Sequence, residues 1–288
     1  MPLCIKESMN RLNIGQRAQV IRCLVDGNSV RATTRITDVS IPTILKLLGD
    51  VGAACAAYQD QHFRGLTCKR IQCDEAWSFV YSKAKNVPEK YRGVFGFGDV
   101  WLWTAICADC KLMPAWYLGT RDADAAHHFM MDLSDRLANR VQLTTDGHRA
   151  YLDAVDGAFG TMVDYAMLVK QYGNAPETTP ERRYSPAVCL GTERKVIHGD
   201  PDPKHISTSY VERSNLTIRM GNRRYTRLTN AFSKKVVNHA HHLALHFMYY
   251  NFARVHQTLR VSPAMEAGVS DHLWSIEEIA ALTDTIQT

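Results

Sequence analysis

The sequence predicts an α/β chain, a mixed sheet flanked by helices, with a small all-α domain in front of it. Three observations predict this. Residues 15–49 carry apolar positions at helical spacing, broken by Gly27-Asn28 and by serines placed to cap helices. From Lys69 the pattern changes to aromatic and β-branched runs separated by turn residues. Beyond Asp122, helical and strand runs alternate, which is the succession of a layered α/β domain.

In the first segment, Val20, Ile21, Leu24 and Val25 recur at helical spacing and Gly27-Asn28 ends the helix. Ser29 can cap a second helix through Ile36. Ser40 can cap a third, whose first turn holds Pro42, where a missing amide does no harm. Ile44, Leu47 and Leu48 then face inward and leave Thr43 and Lys46 outside. Two short helices with a tight turn and exposed polar and basic residues on the last form the helix-turn-helix pattern, which enters the major groove; three-helix bundles that bind no DNA share it. Residues 1–52 are therefore expected to be a DNA-binding domain, contacting DNA through Thr43 and Lys46, and residues 53–69 a helical connector.

Three strands follow, over Lys69 to Ser82, Asp99 to Ala108 and Leu112 to Thr120, in an expected antiparallel meander. Asp122 to Asn139 is an amphipathic helix with Ala126, Phe129, Met130, Leu133 and Leu137 as its stripe. Val141 to Thr145 is a short strand ending at Asp146-Gly147, before a helix near His148 to Val155 and a strand near Met162 to Leu168. Residues 171–207, polar and rich in Pro and Gly, are too long for a simple connection and are expected as a loop-rich insert. Helices are expected from Ser209 to Met220 and from Ser233 to Phe252. In the tail, residues 266–288, Ser275 and Glu278 stand in capping-box register before a short closing helix. Gly93, Gly96 and Gly98 precede a strand instead of opening a helix, so they are no nucleotide loop.

A chain of 288 residues, 45% hydrophobic, has the make-up of an ordinary globular protein. No stretch of eighteen apolar residues and no signal-peptide core is seen, and the expected location is the cytoplasm, at the bacterial nucleoid. The eight cysteines lack the spacing of a disulfide scaffold and are expected to be reduced, mostly buried thiols. Cys107-Ala-Asp-Cys110 reads as a tight turn between two strands; metal binding is the lesser alternative, because no second ligand pair is evident. The net charge of +5 is unevenly placed: Val211 to Arg260 holds nine Lys or Arg residues against Glu212 alone. That excess fits a phosphate-backbone binder, and also a solvated helical face. His239, His241, His242 and His246 cover several faces of one helix, which favours packing or solvent over a metal site.

Three carboxylates stand out by joint placement. Asp74 lies in the first strand of the sheet, Asp146 at the carboxyl end of the fourth, where ligands gather in open α/β sheets, and Glu212 in the first turn of a late helix. Glu212, Asn215 and Arg219 share one helical face. Singly, each acid has an ordinary explanation: Asp146-Gly147 is a common turn pair, and Glu212 could be the capping-box partner of Ser209. Together they could hold a pair of hard cations for phosphodiester chemistry.

The stretches Asp74-Glu-Ala-Trp-Ser-Phe-Val80, Val100-Trp-Leu-Trp-Thr104, Thr145-Asp-Gly147, Ser209-Tyr-Val-Glu-Arg-Ser-Asn215 and Tyr250-Asn-Phe252 through His256 resemble the DDE transposases of the insertion sequence one family. Arg223 to Phe232 and Arg260 to Met265 extend the resemblance, which runs from about Arg70 to Leu273. It implies a ribonuclease-H-like catalytic domain over residues 70–265. It further implies Asp74, Asp146 and Glu212 as catalytic metal ligands, Mg2+ as the cofactor with Mn2+ as the alternative ion, and Asn215 and Arg219 as supporting or DNA-contacting residues. Arg223 and Arg224 join the expected DNA contacts. The implied activity is cleavage at the 3′ ends of an insertion sequence and strand transfer, acting on its terminal inverted repeats and on target DNA as a homodimer or higher oligomer. The alternatives are a related nuclease that cuts without joining and an inactive DNA-binding remnant. Family members often carry an N-terminal cysteine zinc finger; only Cys4 stands near the start here, so no zinc is expected.

Overall fold

Asn13 opens the first helix with a reciprocal cap: its side chain accepts from the Gln16 amide, and Gln16 reaches back to the Asn13 amide. The structure, a computed structural model, describes residues 11–173, 189–226 and 229–285. Helix α1 (Ile14–Val25) is followed by α2 (Val30–Thr37), capped by Ser29, and α3 (Ile41–His62), capped by Ser40 with Pro42 in its first turn.

The first correction concerns α3, which runs 22 residues, through Gly49 and Gly52 and through most of the expected connector. Those glycines permit close approach instead of ending the helix. A Cβ at Gly52 would lie 2.4 Å from the Cβ of His241, on α7 (Val236–Met248). Among the described residues α3 is also the one helix long and apolar enough to cross a membrane, and its apolar side is packed on α7 and on α9 (Ile276–Thr285). The three N-terminal helices are in turn continuous with the main core: Ile21, Leu24, Ile44 and Leu48 belong to one buried cluster with Phe252 and Ile279. Arg17 donates to Asp284 at 2.8 Å, joining α1 to α9 at the far end of the chain.

The six-stranded sheet comprises β1 (Arg70–Val80), β2 (Gly98–Cys107), β3 (Trp116–Gly119), β4 (Val141–Asp146), β5 (Val163–Tyr172) and β6 (Cys189–His198). Its order is β3-β2-β1-β4-β5-β6, antiparallel from β3 to β1, parallel from β1 through β4 to β5, and antiparallel again at β6. This mixed sheet is compatible with the ribonuclease-H-like expectation. On one face, α4 (Ala123–Arg136) and α5 (Ala150–Phe159) bury Phe129, Met130, Leu133 and Tyr151 against Trp103, Leu143 and Tyr165. On the other, α6 (Ser209–Gly221) and α7 bury Val211, Ile218, Leu243 and Phe247 against Ala76, Leu102 and Ile106.

The second correction is β6, which lies inside the stretch expected to be loop-rich. It pairs with β5 from Tyr165–His198 to Tyr172–Cys189, and nearly every residue in it is solvent-exposed. An edge strand open on both faces needs no apolar alternation, so periodicity had nothing to register. The rest of that expected insert, residues 174–188, and Arg227 lie outside the described residues. A short helix α8 (Pro263–Glu266) precedes α9, whose start carries the expected Ser275–Glu278 capping box.

Candidate metal centre

Strand register brings the first two carboxylates together. Cys73 on β1 lies opposite Thr145 on the parallel strand β4, so the next residues, Asp74 and Asp146, stand side by side where β4 ends. The Asp74 side chain faces α6, where Asn215 Nδ2 donates to Oδ2 at 2.8 Å; Oδ1 accepts from the Glu75 amide at 2.9 Å. Asp146 Oδ1 accepts from the His148 amide at 2.9 Å, the turn geometry its Asp-Gly pair predicts.

The third member of this cluster is Glu75. Carboxylate oxygens of Asp74, Glu75 and Asp146 all lie within 4.8 Å of one another. Glu75 is 9% exposed, and Arg121 donates to its Oε2 at 3.2 Å from beneath the Trp101 ring. Its Oε1 is buried, and among the described residues the donor beside it is the equally buried hydroxyl of Tyr151, out of regular hydrogen-bond geometry. Strand alternation sends Glu75 to the face of β1 opposite Asp74. Its one signal was adjacency to Asp74.

Glu212 stands at the edge of the cluster, with its side chain 42% exposed. Lys170 on β5 and the Thr208 hydroxyl both donate to its Oε1. The capping-box alternative therefore fails in detail: Thr208, not Ser209, precedes the helix, and its own side chain caps nothing. Glu212 still acts on the pair electrostatically, since it is one of the charges that raise the Asp74 pKa.

Crowding of acids sets the electrostatics. Burial, then Asp146, then Glu212 push the Asp74 carboxyl up to about 7, against the pull of the Glu75 amide and Lys170. Burial, then Asp146, push Glu75 up to about 8, with the Tyr151 hydroxyl and then Arg121 opposing. A buried carboxylate with one oxygen lacking a well-formed hydrogen bond among the described residues, within reach of two other acids, is a donor set a hard divalent cation satisfies. The residues present fit such an ion.

The expected DNA contacts divide. Asn215 is 4% exposed and spends its amide on Asp74, so it positions that ligand from inside the protein. Arg224 is turned inward: Nε donates to His242 Nδ1 at 3.2 Å and a terminal nitrogen to Ser233 Oγ, holding α7 to the segment before it. The basic run masked this, because a guanidinium aimed at a buried neutral imidazole adds to local charge as much as a solvated one does. Arg219 and Arg223 are half-buried. Lys46 is exposed as expected, in an i,i+4 ion pair with Asp50, and Thr43 is half-buried with its hydroxyl on Ser40. His239, His242 and His246 are buried, and burial pushes His239 to about 3 and His246 to about 4, which keeps both neutral.

No protein-family model and no curated protein matches the chain. Among solved structures it is similar to the Mos1 transposase paired-end complex with left transposon end, at 14% sequence identity and a TM-score of 0.21, covering 53% of this chain. The chain spans 59% of that solved chain. A likeness of that size does not separate one mixed α/β fold from another, and the reading of the site stands on its own geometry.

Proposed function

We propose that the chain is a DNA transposase that cuts and joins phosphodiesters with a divalent cation held by Asp74 and Asp146. The observation that carries this is the register of β1 and β4, which sets the two carboxylates side by side within reach of the buried Glu75 carboxylate. Glu75 completes the tight cluster, and Glu212 is the further ligand in reserve once Lys170 releases it. The motif resemblance around Asp74, Asp146 and Glu212 supports transposition over other phosphoryl chemistry.

When bound, Mg2+ or Mn2+ would supply Lewis-acid polarisation of the phosphate and activation of an attacking hydroxyl. The chain's own residues do the rest. Asn215 fixes the Asp74 carboxylate, and the Asp146 turn fixes its neighbour, so the two ligands are preorganised. Lys170 and Arg121, each held to an acid of the centre, place positive charge at the rim where a DNA phosphate would lie. DNA carrying the ends that flank the coding region is the substrate to test. Asp74→Ala and Asp146→Ala abolish cleavage and leave DNA binding; retained cleavage refutes the assignment. A pre-cleaved end gives joined product from a transposase and none from a nuclease that only cuts.

A further inference from the structure

At the start of β1, ahead of Asp74, three thiols converge. Cys68 lies just before β1, and Cys107 and Cys110 flank the turn that ends β2. Antiparallel pairing sets Ile71 opposite Cys107, and this closes a separation of 39 residues in sequence between Cys68 and Cys107. The three sulfurs lie within 4.8 Å of one another. The second ligand source that the CxxC motif lacked is a single cysteine on the neighbouring strand.

We propose that Cys68, Cys107 and Cys110 bind one Zn2+ ion through three thiolates, with the fourth position open to the adjoining cavity. Zn–S bonds of about 2.3 Å in a tetrahedral site set sulfurs about 3.8 Å apart, within the spacing found here. The turn is built to aim both of its thiols: Lys111 N donates to Cys107 O at 2.9 Å, and Lys111 itself holds φ 61°, the left-handed region a side chain seldom enters. Lys111 is also a buried cation, 8% exposed, lying 3.7 Å from the Tyr210 ring centroid and donating to the Ala108 carbonyl; no carboxylate pairs with it among the described residues. Three thiolates on Zn2+ carry a net negative charge and would supply what Lys111 lacks. A cavity of about 530 Å3 is bordered by all three cysteines, Lys111 and Glu266, giving the ion an entry path and room for a water as fourth ligand.

Soft thiolates select zinc and hard carboxylates select magnesium, so this site and the Asp74 centre take different ions. Along β1, Cys68 precedes Asp74 by six residues and Cys107 pairs three residues before it, about 10 Å of extended chain. The role that follows is a staple joining the start of β1 to the end of β2, and binding releases thiol protons to solvent, so affinity weakens as pH is lowered.

The test uses the full chain, purified reduced from zinc-containing medium and dialysed. Elemental analysis should find about one zinc per chain, and Co2+ exchanged into the wild type should show the thiolate-to-cobalt charge-transfer band. Cys110→Ser and Cys68→Ser should weaken retention at least tenfold, while Cys189→Ser, at an exposed thiol elsewhere, and Asp74→Asn should keep the metal. Zinc-free wild type without a charge-transfer band, or a Cys107–Cys110 disulfide under reducing conditions, would overturn the proposal. If the serine variants fail to fold, the wild-type cobalt spectrum decides alone.

Discussion

Replacing Asp74 by Asn should stabilise the protein in the absence of metal and destroy its response to metal. The Asp74 carboxyl is raised from an ordinary 3.8 to about 7, chiefly by burial and by Asp146. A shift of about 3 units at about 1.4 kcal/mol each sets a ceiling of about 4 kcal/mol. Since Asp74 keeps some contact with solvent, about half of that, roughly 2 kcal/mol, is the working figure. The sign is fixed by linkage: between about pH 4 and 7 the native state holds a proton the unfolded chain has released, so stability falls as pH rises through that window. The cost is then fully present at pH 8.5 and absent at pH 4. Asn places an amide where Oδ2 accepts from Asn215 Nδ2, so Asn215 turns its own amide over and accepts through Oδ1, which exchanges one buried unpartnered amide atom for another among the described residues. At about 2 °C per kcal/mol for a chain of this length, the Tm of Asp74→Asn in EDTA should exceed wild type by about 4 °C at pH 8.5 and by nearly nothing at pH 4. Added Mg2+ should raise the wild-type Tm and leave the variant where it was. Thermal scans over this pH range check both halves. A variant less stable than wild type at pH 8.5, or a gap that ignores pH, would refute the electrostatic account of the centre.

Other consequences are as specific. Lys170→Met removes a cation that lowers the Asp74 pKa and frees Glu212; the acid limb of the pH–rate profile should move to higher pH, with activity regained by raising pH or Mg2+. Asn215→Ala should shift the same limb upward by withdrawing the donor to Asp74, whereas a purely structural role would lower Tm and leave the profile in place. Gly52→Ala drives a methyl into His241 and should cost about 1–3 kcal/mol, a Tm loss of about 2–6 °C, with Gly65→Ala as a poor control because its φ of 64° adds strain of its own. Arg224→Ala should lower stability through Ser233 and His242 and leave DNA affinity and its salt dependence nearly unchanged, which a filter-binding titration reads.

Most of the sheet and the starts of α2 and α3 were legible, because caps such as Ser29 and Ser40 and aromatic strands such as Asp99 to Ala108 are local signals. What escaped was set by tertiary contact. The expected domain ended at residue 52, whereas α3 runs on and Gly52 gives His241 of α7 room to approach. β6 lacks alternation because neither face is buried. Asp74 and Asp146 were found from strand position and motif together, and register then placed them side by side. Glu75 was hidden by the rule that neighbours on a strand face opposite ways, a rule about Cβ directions that does not fix where the carboxylate of a long side chain ends. Cys68 was invisible as a partner of Cys107-Ala-Asp-Cys110 until pairing of β1 with β2 closed the distance.

The central claim is that Asp74 and Asp146 jointly hold the ion that cleaves DNA. The direct measurement is cleavage of DNA carrying the element's ends by wild type and Asp146→Ala in parallel Mg2+ and Mn2+ titrations, with DNA binding measured in the same samples. The account predicts metal-dependent 3′-end cleavage by wild type, and none by the variant at any metal concentration despite undiminished binding. Cleavage by Asp146→Ala, or metal-independent cleavage by the wild type, would contradict it.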